Sequence, residues 1–238
     1  MTLAFRAGGR TEPGPYREAN DDYLLLNPEL GLFAVFDAGG SWSEMGGRAS
    51  RVSAEVVRRV IREGTDREPR ELIERAFRTT TETLQTEPDD NGWCGGSSVS
   101  LVLLRSDRVF ISWLGDAMAY RVRGDQIEPL TRAHTVWNEM VRRGTVQATA
   151  SPRFQNVLMH VLGGQLPDPL EVVSFAPLPG DRLVLTTDGV TNHIPASTIL
   201  NACRTISDPT TCAEAIIEHA IMAGSRDNCT CAVIAFEE

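Results

Sequence analysis

Lysine is absent from this 238-residue sequence, and all 23 of its basic residues are arginines. The absence excludes chemistry that needs a lysine amine, namely the phosphate-binding lysine of P-loop nucleotidases, the strand lysine of protein kinases and Schiff-base catalysis. The formal net charge of −9 also argues against a general nucleic-acid-binding protein, because such proteins are normally basic. We therefore expect no nucleic-acid partner.

Cysteine is also sparse, with five residues, which is an odd number in a chain of ordinary hydrophobic content. Disulfide-stabilised folds are small and rich in cysteine, so we predict reduced thiols and a cytoplasmic location. The longest apolar stretches fall far short of the roughly 20 residues that span a bilayer, and the N-terminus has no signal-peptide pattern. We expect no membrane partner and a single domain over residues 1–238, a size at which one hydrophobic core is common.

Two pairs of helices are predicted from the spacing of apolar residues. The first pair covers residues 45–63 and 69–86, and the second covers residues 195–206 and 209–223. The first pair is expected to form an antiparallel hairpin. Each pair separates blocks of strand-like sequence, which is the order typical of antiparallel sheets with helices packed outside them.

The predicted strands are short apolar runs bounded by turn residues. They cover residues 3–7, 23–27, 32–37, 97–104, 108–114, 118–122, 171–175, 182–187 and 229–236, with a hairpin turn at Gly124-Asp125. A short helix at 134–143 and a loop-rich stretch at 144–170 complete the pattern. We predict an α+β fold, a four-layer α-β-β-α sandwich of two antiparallel sheets flanked by pairs of helices.

Acidic residues lie at the ends of several predicted strands: Asp21 and Asp22, Asp37, Asp188 and Asp227. Carboxylates that converge from strand ends raise one another's pKa and cannot all stay ionised without cations. Hard divalent ions such as Mg²⁺ prefer such oxygen ligands. The pattern indicates a multi-carboxylate metal site. Taken singly, each acid is also typical of a turn or a helix cap.

Seven short motifs follow one another along nearly the whole chain: Arg17-Glu18-Ala19-Asn20-Asp21-Asp22, Val35-Phe36-Asp37-Ala38-Gly39-Gly40, Gly96-Ser97-Ser98, Trp113-Leu114-Gly115-Asp116-Ala117-Met118-Ala119-Tyr120, Leu130-Thr131-Arg132-Ala133-His134-Thr135, Leu185-Thr186-Thr187-Asp188-Gly189-Val190 and Gly224-Ser225-Arg226-Asp227-Asn228-Cys229-Thr230. In content and order this set resembles the metal-dependent Ser/Thr protein phosphatases of the type 2C, or PPM, family. The first motif resembles the family's Arg-x-x-Asn-Glu-Asp and the second its Val-Phe-Asp-Gly-Met-Gly-Gly. The last two motifs match the family closely.

The resemblance implies two Mn²⁺ or Mg²⁺ ions at one edge of the sandwich, with a third ion in bacterial members. Asp37 should bridge two ions, and Arg17 matches the arginine that holds the phosphate, a task that suits its planar fork. The other implied metal ligands are Asp21, Asp22 in a supporting position, the backbone carbonyl of Ala38, Asp116, Asp188 and Asp227. A hydroxide held between the ions would attack phosphorus in line, without a phosphoenzyme.

The implied activity is metal-dependent hydrolysis of phosphoserine and phosphothreonine in proteins, with a Ser/Thr kinase as the counterpart that acts on the same substrates. The sequence departs from the family pattern beside the acids: Asp21 replaces Glu, Ala38 replaces Gly, Ala117-Met118 replaces Ser-Arg and Ala133 replaces Asp. These changes motivate an alternative, a pseudophosphatase that binds phosphoproteins without turnover. The retained carboxylates argue against it, and a third hypothesis, another two-metal hydrolase, lacks a His-rich ligand motif.

His134 and Trp42 are two further candidates for a functional role. His134 starts the predicted helix at 134–143, and we interpret it as a structural or capping residue rather than a catalytic acid. Trp42 lies in the Gly-rich insertion at 41–47. We interpret it as a partly buried anchor of that loop, and the alternative is an exposed residue that docks substrate.

Overall fold

The computed structural model describes residues 3–38, 46–86, 95–146, 154 and 156–237, and in these ranges ten strands form two antiparallel sheets of five. The first sheet has the order β1 (Phe5–Glu12), β10 (Cys229–Phe236), β9 (Arg182–Thr186), β6 (Met118–Arg123) and β7 (Gln126–Pro129). The second sheet has the order β2 (Asp22–Asn27), β3 (Leu32–Asp37), β4 (Ser98–Arg105), β5 (Arg108–Leu114) and β8 (Val172–Phe175).

Six α-helices lie in the described ranges: α1 (Gly46–Glu63), α2 (Pro69–Thr86), α3 (Val136–Arg142), α4 (Asp188–Thr191), α5 (Ala196–Thr205) and α6 (Pro209–Met222). Helices α1 and α2 pack on the outer face of the second sheet, and α5 and α6 pack on the outer face of the first. The predicted four-layer sandwich is therefore confirmed. None of these helices combines the length and the apolar composition needed to cross a membrane.

Strand β3 shows why the sheets are so apolar. Its residues alternate between two cores: Phe33 and Val35 point into the core between the sheets, whereas Ala34 and Phe36 pack against α1 and α2. A strand buried on both faces reads as a continuous apolar run rather than an alternating one. This run ends at Asp37, so the first polar side chain lies at the edge of the sheet.

The prediction for the first strand was wrong, because it ended at Ala7 whereas β1 continues to Glu12. Gly8 belongs to the strand because it passes close under α6. A Cβ atom at this position would lie 2.2 Å from Thr210 Oγ1. The glycine therefore permits the approach of a helix and does not end the strand.

Other boundaries agree closely with the sequence prediction. Strands β3, β5 and β10 have the predicted limits, α1 and α2 lie within one residue of them, and the β6–β7 turn contains Gly124 at φ 56°. Strand β7 and the one-turn helix α4 were not predicted. Cys203, Cys212, Cys229 and Cys231 are buried free thiols, as expected. Trp42 and most of the 41–47 insertion lie outside the described residues.

Candidate metal centre

Strand ends from both sheets meet at one edge of the sandwich, where they enclose a cavity of about 190 Å³. In the second sheet, Asp37 at the end of β3 pairs with Asp22 on one side and Ser98 on the other. In the first sheet, β9 leads into Asp188, and Asp227 lies two residues before β10. The cavity lining contains Arg17, Asp21, Asp37, Ala38, Asp116, Asp188 and Asp227, which are all the predicted site residues except Asp22.

Asp22 lies behind this cavity, where it joins the two sheets. Its Oδ2 atom accepts hydrogen bonds from Thr187 Oγ1 at 2.8 Å and from Thr230 Oγ1 at 2.7 Å. Burial, with a smaller contribution from the charges of nearby aspartates, raises the pKa of Asp22 to about 7 against the opposing effect of the two threonine hydrogen bonds. This position suits the supporting role implied for Asp22 better than direct contact with an ion.

The carboxylates in the cavity destabilise one another's charged form. Burial, reinforced by the charges of four neighbouring aspartates, holds the pKa of Asp37 well above its ordinary value. Burial and the charge of Asp188 raise the pKa of Asp116 to about 6, and burial together with Asp227 raises the pKa of Asp188. Five carboxylates around one small cavity therefore require a compensating cation to be ionised together.

The donor set fits hard divalent ions that keep part of their water shell. All five side chains offer oxygen, and two buried oxygens in the lining, Asp116 Oδ1 and Ser98 Oγ, have no hydrogen-bond partner within the described ranges. No three acidic, cysteine or histidine side chains among the described residues form a complete metal-binding group by themselves. Mg²⁺ is commonly bound by one or two carboxylates and several waters, so an incomplete protein ligand set is consistent with it.

Arg17 lies in the loop between β1 and β2 and is half-exposed at the mouth of the cavity. Its Nη2 atom is 2.7 Å from Asp227 Oδ1. A guanidinium in this position faces the same space as the five carboxylates and can offer a planar pair of donors to a phosphoryl group. The pairing with Asp227 orients the side chain across the opening.

Asn228 fixes the loop that carries Arg17 and Asp21. Its Oδ1 atom accepts a hydrogen bond from the Asp21 backbone N–H at 2.9 Å, and its Nδ2 atom donates to the carbonyls of Pro13 and Ala19 at 2.7 and 3.0 Å. These bonds join segments more than 200 residues apart in sequence. Asn228 belongs to the last of the seven motifs, but no local pattern in the sequence indicates these contacts.

The Asp188-Gly189 pair is the first turn of α4, and Gly189 lies in close contact with the backbone of Asn228. A Cβ atom at Gly189 would lie 1.9 Å from the Asn228 carbonyl oxygen, so a larger residue cannot occupy this position without a backbone shift. The dipeptide thus begins α4 directly against the segment that carries Asp227. The close approach brings two predicted ligands together from different parts of the chain.

Besides Asn228, three lining residues have no site role in the sequence prediction: Ser98, Asn156 and Leu158. Ser98 belongs to a motif that was recognised, whereas Asn156 and Leu158 lie in a stretch with weak periodicity that offers no local signal. His134 lies outside this cavity, buried with its ring stacked on Trp113 at 5.6 Å. Its position supports the structural interpretation.

Comparisons with known proteins agree with this geometry. The family model described as Protein phosphatase 2C matches residues 18–142. The serine/threonine protein phosphatase PstP of Mycobacterium tuberculosis is 26% identical over 98% of this chain, and the serine/threonine phosphatase stp of Listeria innocua is 27% identical over 93% of it. The chain spans 45% of the length of the mycobacterial relative and 92% of the listerial one.

Solved structures share the fold. The catalytic domain of a serine threonine protein phosphatase PstP, in complex with two manganese ions, superposes on this chain with a TM-score of 0.80. The superposition covers 100% of both chains at 23% sequence identity. At this identity the likeness supports the fold, including the placement of strand ends at a common edge.

Proposed function

This chain belongs to the protein phosphatase 2C family, and from that premise we propose that it hydrolyses phosphoserine and phosphothreonine in proteins with Mn²⁺ or Mg²⁺ bound in the acidic cavity. The observation that carries the proposal is the convergence of five carboxylates and Arg17 on one small opening. Carboxylates supply the ligands for hard cations, and the arginine supplies a donor for the phosphoryl oxygens. Together they supply ligands for the ions and a binding group for the substrate phosphate.

In this proposal Asp37, Asp188 and Asp227 would hold one ion, and Asp37, Asp21 and the Ala38 carbonyl would hold the other. Asp116 and Asp188 would hold a third ion, with Asp22 in a supporting position. When bound, the ions supply a water activated as nucleophile and neutralise the charge of the phosphoryl oxygens. The protein residues hold the carboxylates together as ligands for the ions, and Arg17 at the mouth of the cavity orients the substrate.

The departures from the family pattern do not favour a pseudophosphatase. Ala117 is fully buried in the core between the sheets, and Met118 packs against the outer core of the first sheet. Neither side chain lines the cavity, so these two changes leave the described carboxylates in place. The substitutions at Asp21 and Ala38 retain an oxygen donor, since Asp21 keeps a carboxylate and the expected ligand of Ala38 is its backbone carbonyl.

The direct test is hydrolysis of a phosphothreonine and a phosphoserine peptide by the wild-type protein with added Mn²⁺ or Mg²⁺. We expect release of inorganic phosphate that requires the metal and stops when EDTA is in excess, because the ligand set is all oxygen. Full activity in metal-stripped, chelated protein would refute the proposed mechanism. A Ser/Thr kinase acting on the same substrates, a cytoplasmic location and a single catalytic domain over residues 1–238 complete the proposal.

Arg17 is expected to act on substrate binding. Arg17→Ala should mainly raise KM for a phosphopeptide, and Arg17→Lys should restore it only in part, because an ammonium lacks the planar fork. Steady-state kinetics at saturating Mn²⁺ would measure both values. The matched control is Arg10→Ala, since Arg10 is exposed on β1 and pairs with Glu12 outside the cavity. An unchanged KM in Arg17→Ala would show that Arg17 does not bind the substrate phosphate.

A further inference from the structure

A second groove, with a volume of about 870 Å³, adjoins the acidic cavity and shares Arg17 and Asp21 with it. The loop residues before β2 form one wall, and the first turns of α1 form the other, with Arg48 and Arg51 on that side. A polypeptide whose phosphorylated residue enters the cavity can therefore continue along this groove without leaving the surface.

The groove is locally basic in a chain of net charge −9. Its lining contains three arginines, Arg17, Arg48 and Arg51, against two acids, Glu18 and Asp21. Arg48 and Arg51 are exposed and lie three residues apart on α1, so they occupy neighbouring positions on the helix surface. Arg51 forms no hydrogen bond or ion pair with another residue in the described ranges. Its guanidinium is available to an incoming anion.

Both walls of the groove are tied to the candidate metal centre. Ser50 Oγ donates a hydrogen bond to the Asp21 carbonyl at 2.5 Å, which holds the first turns of α1 against the β1–β2 loop. Asn228 holds the same loop from the other side through Ala19 and Asp21. The helix backbone that carries the two arginines is therefore held against the segment of Asp21 before any substrate binds, which lowers the entropy lost on binding.

The outer rim of the groove carries Tyr16, whose side chain is 71% exposed. The guanidinium of Arg226 lies 5.1 Å from the centre of its ring, a cation–π contact that holds the ring in place. An exposed aromatic ring held beside basic residues offers apolar contact to a peptide backbone or side chain. The rim thus offers an apolar contact surface for a peptide in addition to the basic side chains of the groove.

We propose that this groove binds the acidic peptide segment that flanks the phosphorylated residue, with Arg48 and Arg51 contacting aspartate or glutamate side chains of the substrate. The proposal rests on the phosphatase function proposed above and adds a substrate class to it. Carboxylates pair with the planar guanidinium in two parallel hydrogen bonds, so arginine gives both charge and geometry for such a segment. Phosphoproteins with acidic residues beside the phosphosite are the preferred substrates.

The test compares phosphothreonine peptides that are identical except for acidic, alanine or arginine residues on both sides of the phosphosite. The double variant Arg48→Ala/Arg51→Ala is measured beside a matched control, Arg59→Ala/Arg62→Ala. The control loses the same charge at the same spacing from exposed positions of α1 that do not line the groove. A small aryl phosphate, which does not reach the groove, reports the chemistry alone.

We expect the groove variant to lower kcat/KM for the acidic peptide about tenfold, with a change of about twofold or less for the alanine-flanked peptide. The control variant should retain the wild-type preference for the acidic peptide. Equal losses on all three peptides, or an unchanged preference in the groove variant, would overturn the proposal while the phosphatase function stands.

Binding without turnover separates failure of this proposal from failure of the proposed function. Fluorescence anisotropy of a labelled acidic phosphopeptide, with the protein in EDTA, should show weaker binding by the groove variant than by the wild type and the control. If the wild type hydrolyses no peptide, weaker binding by the groove variant still supports the proposal that the groove binds acidic peptide segments. Equal binding by all three proteins overturns it. The melting temperature of each variant confirms that it is folded.

Discussion

Replacing Asp37 by asparagine should abolish turnover and, at the same time, stabilise the metal-free protein. Asparagine keeps the shape of the side chain but removes the charge proposed to lie between the ions, so we expect kcat to fall at least about a hundredfold, or ~2.7 kcal/mol of activation free energy. Four neighbouring aspartates and burial oppose the charge of Asp37. Its removal should therefore raise the melting temperature in EDTA at about pH 8.

The opposite signs of the two effects distinguish a metal-binding residue from a structural one. Asp181→Asn is the matched control, because Asp181 is also buried but pairs with Arg123 through two hydrogen bonds of 2.7 Å away from the cavity. That variant should melt at a lower temperature and keep its kcat, since it breaks an ion pair. An Asp37→Asn protein that retains more than about a tenth of wild-type kcat would contradict the central role of Asp37.

Metal-free protein should lose stability as the pH rises from about 5.5 to about 8, and Mn²⁺ should reverse that loss. Burial raises the pKa of Asp22 to about 7 and of Asp116 to about 6, from an ordinary value of 3.8. In this interval the folded state binds protons that the unfolded chain has already released, so the free energy of unfolding falls with rising pH. Above about pH 8 these two groups contribute little further change, because both are then deprotonated in the folded state as well.

Mn²⁺ binds the deprotonated carboxylates, so its stabilising effect should be larger at about pH 8 than at about pH 5.5. At a free concentration one hundred times its dissociation constant, a bound ion adds ~2.7 kcal/mol to the free energy of unfolding. Thermal melting in EDTA and in Mn²⁺ at both pH values measures these effects.

The control for the pH experiment is Glu139→Gln. Hydrogen bonds from Arg142 and Arg143 lower the pKa of the partly buried Glu139 to about 2, so this carboxylate titrates outside the interval. Its replacement should leave the slope of stability against pH between about 5.5 and about 8 unchanged. A chelated wild-type protein that is more stable at the higher pH would show that the carboxylates of the cavity are not the groups responsible.

The order of strands and helices was predictable because it depends on local patterns. The apolar run of β3 ends at Phe36, directly before Asp37, as the sequence pattern predicts. The helical spacing in α1 and α2 reflects one buried face each. The part of β1 after Ala7 was not predictable from local patterns, because the need for glycine at position 8 depends on Thr210 in α6. Local patterns carry no information about an element that packs against them from 200 residues away.

The candidate site divides in the same way. The sequence by itself determined which acids end the strands and, through their ordered motifs, the family to which the chain belongs. Tertiary structure decided which of them face one cavity, because Asp22 turns instead to Thr187 and Thr230 on the other sheet. It also decided the contacts of Asn228 and the groove beside α1, since both arise where segments distant in sequence are brought together by packing of the two sheets.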